Sequence, residues 1–276
     1  MRLLTFRGED GTHAGRLEND RVVELPFSDV SSLIASGQDW REAASADGPE
    51  RNLSDISYAP LVTRPPAVIC VGQNYAAHVA EVRVDLPAYP TLFAKFPSSL
   101  LGAYDDLVLP AVSTSVDWEV ELAFVVGVRG RNLSEAEASH SIAGYTIAND
   151  VSMRDFQART SQFLQGKAFE ASTPVGPVLL TPEEFPGESV TDLRLTCEVD
   201  GVVVQDGTTA DMIFTPPVIA AYISQIMTLE PGMLILTGTP DGIGAARTPP
   251  IFLREGQTMR TTVERIGKLE NHCVGE

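Results

Sequence analysis

The stretch Ser115-Val116-Asp117-Trp118-Glu119-Val120-Glu121-Leu122-Ala123-Phe124-Val125-Val126-Gly127 alternates apolar and acidic residues and ends on a glycine. A side-chain period of two reads as a β-strand, with Val116, Trp118, Val120, Leu122 and Phe124 on one face and Asp117, Glu119 and Glu121 on the other. Same-face neighbours on a strand are about 7 Å apart, so each acid makes the next harder to ionise unless a cation lies between them. Taken alone, such a strand reads as half buried with a solvated acidic face.

A further acid changes that reading. Gly144-Tyr145-Thr146-Ile147-Ala148-Asn149-Asp150 is a second apolar strand ending on Asp150, just before the helix-like run Val151 to Gln157. Functional groups collect where strands end and helices begin. Glu119, Glu121 and Asp150 together would form an all-oxygen, trianionic cage without His or Cys, a donor set suited to Mg²⁺, Mn²⁺ or Ca²⁺ rather than zinc.

The chain has 276 residues, 43% of them hydrophobic, and a formal net charge of −17. That length supports one large domain with a small one, and that charge argues against nucleic acid and anionic membrane surfaces, which are bound through basic patches. No apolar run reaches the length of a membrane span, and no targeting segment is recognisable at Met1 to Phe6. Cys70, Cys197 and Cys273 are widely spaced and form no CxxC pair, which fits reduced thiols and a cytoplasmic protein.

Residues 1–62 are expected to form a small, self-contained β-rich domain, with strands at Met1-Phe6, Thr12-Leu17 and Arg21-Leu25 and short helices at Ser31-Ser36 and Asp39-Ser45. Its His13 stands alone and reads as an ordinary surface or core residue. Residues 63–276, beginning at the proline-containing segment Thr63-Arg64-Pro65-Pro66, form the second and larger domain.

Within it, Ala67 to Gly72 is a buried strand followed by a helix-like Ala76 to Glu81. On that helix His78 and Glu81 are three apart, on one face and within hydrogen-bonding reach, which would fix the imidazole tautomer. Pro90 to Gly102 supplies a short strand and a polar turn, and its Lys95 reads as a surface charge in preference to a contact to an acidic ligand. Arg154 and Gln157 are also three apart, and Lys167 follows Gly166; these are candidate donors to a carboxylate or oxyanion near Asp150. Asp200-Gly201 between two apolar runs is a hairpin signal, and Pro217 to Met227 is an amphipathic helix. Thr237-Gly238-Thr239-Pro240-Asp241-Gly242-Ile243-Gly244 is neither a Walker loop nor a dinucleotide fingerprint, but its N–H groups and the Thr239 hydroxyl could hold a small anion.

Over roughly residues 65 to 273 these segments resemble, in the same order, the motifs of the fumarylacetoacetate hydrolase superfamily. Gly72 to Glu81 is similar to its G-x-N-Y-x-x-H-x-x-E, Asp117 to Leu122 to D-[YW]-E-x-E-L, and Asn149-Asp150-Val151-Ser152 with Arg154 and Gln157 to N-D-x-[ST]-x-R-x-x-Q. Gly166-Lys167 is similar to the start of G-K-[ST]-F, with Ala168 in place of the hydroxyl residue, and Thr237 to Gly244 to T-G-T-P-x-G-V-G. The resemblance implies an α+β, mostly β fold, a mixed β-sandwich roll with few helices, usually assembled as a homodimer. It implies Mg²⁺ or Mn²⁺, with Ca²⁺ as a substitute, on Glu119, Glu121 and Asp150. It makes His78 and Glu81 a water-activating dyad on a segment that orders over the ligand, has Lys167 and Gln157 polarise the substrate, and adds Tyr75, Arg154 and Thr239 as substrate contacts.

The expected chemistry is cleavage of a C–C bond in a small 2-oxo or 1,3-dicarbonyl acid, of the acylpyruvate type, by water activated at His78. Decarboxylation of oxaloacetate needs the same electron sink without the attacking water, and isomerases and dehydratases share the scaffold. A non-catalytic metal-binding role would not require the HxxE pair and a lysine beside the triad.

Overall fold

The acidic stretch folds as two strands rather than one. In the computed structural model, which describes residues 1–37, 39–185, 187 and 190–276, Val116–Asp117 pairs with Ser152–Met153. Val120–Val126 pairs with Ile142–Asn149 on one side and Leu234–Leu236 on the other. Trp118 and Glu119 lie between the two pairings, opposite Asp150 and Val151. Because Ser152 and Met153 are drawn into pairing, the helix expected from Val151 begins only at Arg154 and is a single turn, Arg154–Gln157.

Val120–Val126 is central in a twelve-stranded sheet and is buried along its whole length. Leu122 and Phe124 face a core shared with the second sheet, while Ala123 and Val125 face an opposite core with Val68, Cys70 and Leu236. The polar face of the acidic stretch is therefore not solvated: Asp117, Glu119 and Glu121 are all buried. Val68–Gly72 joins the sheet parallel to Leu234–Leu236, and Thr91–Lys95 closes it antiparallel at one end. The mixture of parallel and antiparallel pairing, with short helices outside it, is the expected mostly β architecture.

The second sheet has five strands, in the order Val202–Thr208, Arg194–Val199, Thr258–Val263, Gly267–Gly275 and Leu107–Leu109. Its first hairpin turns at Asp200 and Gly201 with φ of 50° and 77°, the left-handed pair that a tight turn between twisted strands requires. Leu195, Cys197, Met259 and Leu269 pack from it against Val120, Leu122 and Phe124. Burying both faces of the central strand places any charged group near its end in a low-dielectric setting.

The opening segment supplies Arg2–Gly8, Gly11–Glu18 and Arg21–Glu24. Arg2 and Leu3 pair with Leu180 and Leu179 of Thr173–Leu180, so these strands are continuous with the large sheet of residues 63–276. Among the described residues no helix is long and apolar enough to cross a membrane, and the three cysteines are free and buried.

Candidate active site and metal centre

Both strands leave the ladder at one level, and the acids converge there. The Asp150 N–H donates to the Glu119 carbonyl at 2.9 Å, and the Glu119 N–H donates to Asn149 Oδ1 at 2.9 Å. The side-chain amide thus replaces a missing ladder bond and keeps the buried backbone satisfied. One carboxylate oxygen from each of Glu119, Glu121 and Asp150 lies within 4.8 Å of the others.

Asp117 does not join them. Its Oδ1 accepts the Trp118 and Gly244 N–H groups at 2.9 and 2.7 Å, and its Oδ2 accepts Ala245 N–H at 3.0 Å and Arg154 Nε at 2.8 Å. It is a clamp between the strand, a loop and an arginine.

Two buried lysines and a partly buried arginine surround the acids. Lys167 Nζ lies 2.7 Å from Glu119 Oε2 and 2.8 Å from Asp150 Oδ2, and Arg154 Nη2 lies 2.7 Å from Glu119 Oε1. The third is Lys95, 2.5 Å from Asp150 Oδ1 with its side chain wholly buried. The reading of Lys95 as a surface charge is therefore corrected: its strand packs beside Val68–Gly72, and its last residue turns inward to Asp150. Arg154 also donates to Gln157 Oε1 at 2.9 Å. Gly166 has no room for a side chain, since a Cβ would lie 2.5 Å from the Gln157 Cβ; this close packing of two helical turns brings Lys167 to the acids.

The acids respond differently to this environment. Burial alone would raise Glu119, but Lys167 and Arg154 outweigh it and hold its pKa down at about 2. Burial and the neighbouring Asp150 and Glu119 push Glu121 well above the ordinary carboxylate value. Its recorded contact is the Gly238 N–H at 2.6 Å on Oε2, and no ion pair to it is found among the described residues. Burial likewise opposes charge on Lys167, yet Asp150 and Glu119 raise its pKa above that of an ordinary lysine.

A hard divalent cation fits these residues. The donors are all carboxylate oxygens, buried and convergent, and among the described residues Glu121 lacks the direct ion pair that its two partners have. An ionised carboxylate offers about four lone-pair sites, so oxygens that already accept from lysine retain capacity for a metal.

His78 Nδ1 lies 3.2 Å from Glu81 Oε2, and Glu81 Oε1 accepts the Gly242 N–H at 2.9 Å. A carboxylate at Nδ1 keeps the proton there and leaves the lone pair on Nε2, the form of a general base. The loop from Thr237 to Ala245 does hold anions, but they are the protein's own: Glu121 at Gly238, Glu81 at Gly242, and Asp117 at Gly244 and Ala245. Its amides, read from sequence as a site for a small free anion, are largely spent on positioning.

A cavity of about 290 Å³ is lined by His78, Glu119, Arg154, Gln157, Lys167 and Thr239 together with Val71, Phe93, Phe163 and Ile243. Glu121 and Asp150 are not among its lining residues. Tyr75 is elsewhere: it is fully buried, outside the cavity lining, and pairs with Met212 through its backbone. Two contributors escaped the sequence reading. Asn74 donates to the Phe214 and Thr237 carbonyls at 2.9 and 2.7 Å. Gln205, from the second sheet, accepts the Val120 N–H at 2.9 Å and donates to Thr239 Oγ1 at 2.8 Å. Gln205 follows three valines in a hairpin strand with no polar motif around it and carried no signal; Asn74 could have been found from the motif that contains it.

Known proteins share this arrangement of chain. Oxaloacetate tautomerase FAHD2A, mitochondrial, of Homo sapiens is 43% identical over 294 residues, covering 99% of this chain and 92% of that protein. The structure of fumarylacetoacetate hydrolase from psychrophilic Exiguobacterium antarcticum superposes with a TM-score of 0.89 at 31% identity, covering 100% of both chains. That of 2-hydroxyhepta-2,4-diene-1,7-dioate isomerase from Mycobacterium marinum gives 0.81 at 33% identity, covering 100% of this chain and 99% of the other. The model of the fumarylacetoacetate (FAA) hydrolase C-terminal family matches residues 67–274, the segment that carries every acid, cation and loop described above, and the chain belongs to that family.

Proposed function

We propose that this family enzyme is a divalent-metal-dependent isomerase that moves a proton between carbon and oxygen in a small 2-oxo diacid, with oxaloacetate the first substrate to test. The observation that carries the reading is the single cavity holding a carboxylate-anchored histidine, His78 with Glu81, beside a buried acidic triad flanked by Lys167 and Arg154. The likeness over nearly the whole length to a protein named oxaloacetate tautomerase supports the same substrate class.

A cation on Glu119, Glu121 and Asp150, Mg²⁺ or Mn²⁺ with Ca²⁺ as a substitute, supplies when bound the Lewis acid that makes the proton beside the 2-oxo group removable. His78 Nε2 takes that proton from C3, the C–H electron pair becomes the C2–C3 double bond as the carbonyl π pair moves onto the C2 oxygen, and the same proton is returned at that oxygen. Glu81 steadies the imidazolium between the two transfers. Arg154, Lys167 and Gln157 present donors to the substrate's carboxylate and carbonyl oxygens. The apolar wall of Val71, Phe93, Phe163 and Ile243 limits water at the exchanging proton.

The second reading is hydrolysis of a C–C bond in an acylpyruvate, favoured by the likeness to the Exiguobacterium hydrolase and by the same dyad acting on water. Decarboxylation of oxaloacetate would use the triad without the dyad. The three separate in one preparation. Metal-loaded protein is given oxaloacetate, with the enol form followed by ultraviolet absorbance and pyruvate release followed in parallel, and then an acylpyruvate. Faster keto–enol exchange without pyruvate release supports the isomerase. Pyruvate released from the acylpyruvate, with no acceleration of exchange, replaces it with the hydrolase. His78→Gln should lower turnover by about 10²-fold or more while leaving Mn²⁺ affinity unchanged; full activity in that variant removes His78 from the mechanism. The homodimer belongs to the same reading and is checked by light scattering.

A further inference from the structure

Gln205 is 2% exposed, although its strand belongs to the second sheet and residues on either side of it reach solvent. Its carboxamide is fully used at the boundary between the sheets. Oε1 accepts the Val120 N–H at 2.9 Å, and Nε2 donates to Thr239 Oγ1 at 2.8 Å and to the Pro240 carbonyl at 3.0 Å. The orientation of the amide is fixed twice over. Val120 N–H is only a donor and the Pro240 carbonyl only an acceptor, so oxygen must face the first and nitrogen the second.

That assignment determines the polarity of the next group. A hydroxyl has one proton, and a Thr239 oxygen that accepts from Gln205 keeps its proton for another acceptor. Among the described residues no recorded hydrogen bond takes it. Thr239 is 3% exposed and lines the cavity with Arg154, Lys167 and Glu119. Its donor is therefore free beside the place where the proposed substrate brings carboxylate oxygens.

We propose that Gln205 is a positioning residue that sets Thr239 as an obligate hydrogen-bond donor, so that the cavity selects a carboxylate-bearing ligand through a hydroxyl whose direction is fixed from the second sheet. This rests on the 2-oxo-acid reading of the site. Gln205 touches no substrate; it acts through Thr239.

The test uses the full-length, Mn²⁺-loaded protein and two variants. Gln205→Glu keeps an acceptor for Val120 but presents a second acceptor to Thr239, which then turns its proton away from the cavity. Gln205→Met removes the hydrogen bonds to Val120, Thr239 and Pro240 at similar volume and leaves the hydroxyl free to rotate. Each is also made on a Thr239→Val background. Affinity is read by calorimetry with pyruvate, the minimal 2-oxo acid, alongside KM and kcat for oxaloacetate.

Expected are about a tenfold weaker pyruvate Kd and higher KM for Gln205→Glu, about threefold for Gln205→Met, and kcat within about twofold in both. On the Thr239→Val background neither change should have further effect. A new buried charge that merely repelled the ligand would act with or without the Thr239 hydroxyl, so equal losses on both backgrounds overturn the proposal. So does an unchanged pyruvate Kd in whichever variant folds, or a loss confined to kcat. Absence of oxaloacetate turnover in the unmodified protein would reject the isomerase reading, whereas the pyruvate Kd still decides the role of Gln205.

Discussion

At position 238 the backbone runs at φ +96°, and a Cβ there would lie 2.8 Å from the Asn74 Cβ and 2.9 Å from the Val71 carbonyl. Only glycine lets this amide approach Glu121 to 2.6 Å. Gly238→Ala is expected to cost about 1–3 kcal/mol of stability from strain and to weaken divalent-ion binding, measured by denaturant unfolding and by calorimetry with Mn²⁺. Unchanged ion affinity would separate the glycine from the metal centre. The two glutamates predict opposite pH effects. Glu119, held at about 2, contributes stability above the ordinary carboxylate value that is lost as pH falls towards about 2. Glu121, raised by burial and by Asp150 and Glu119, costs stability as pH rises above the ordinary carboxylate value towards its own. A metal must displace any proton held by Glu121, so calorimetry with Mn²⁺ in buffers of different ionisation enthalpy is expected to show proton release upon binding. Heats independent of the buffer would mean that Glu121 is already ionised before the ion arrives.

Among the elements, the loop from Thr237 to Ala245 is the part on which the site converges, and Asp117 anchors its far end while satisfying Arg154. Asp117→Ala leaves the Arg154 guanidinium with one fewer acid and the Trp118, Gly244 and Ala245 amides without their acceptor, an expected loss of about 3–5 kcal/mol, read from chemical denaturation. A loss below about 1 kcal/mol would place the loop's anchorage elsewhere. The loop and the strands beside it also mark where the sequence could be read. Alternation from Val116 to Phe124 is local, and the apolar face it gave is the one that meets the second sheet. The break at Trp118-Glu119 is not local. It depends on Asn149, 30 residues away, and on Gln205, 85 residues beyond Val120, whose side chains replace ladder bonds. Lys95 was misread for the same reason: a lysine at a strand end is ordinarily solvated, and nothing near it in the chain reveals a buried aspartate 55 residues on. The acids of the triad could be picked out because their donor chemistry is a property of residue type. Their supports could not, because these are properties of the fold.

Over the whole molecule, a chain of net charge −17 gathers the buried Lys95 and Lys167 and the partly buried Arg154 around four buried carboxylates. Those cations ion-pair with Asp117, Glu119 and Asp150 and leave Glu121 without a direct ion pair, where burial and the like charges of Asp150 and Glu119 outweigh the pull of Lys167, so the site is a folded arrangement whose electrostatic strain a divalent ion would relieve. An ion that binds only the folded chain at a hundred times its Kd adds about 2.7 kcal/mol, which for a protein near this size raises Tm by roughly 5–10 °C. Chelation should reverse the shift. Glu121→Gln distinguishes this from general stabilisation by salt. An amide imitates the protonated acid, so the variant should match or exceed the unmodified protein's Tm in chelator and lose the rise with Mg²⁺ or Mn²⁺. If the variant instead rises with the ion as the unmodified chain does, Glu121 is not a ligand, and the cation has to be sought on Glu119 and Asp150 alone.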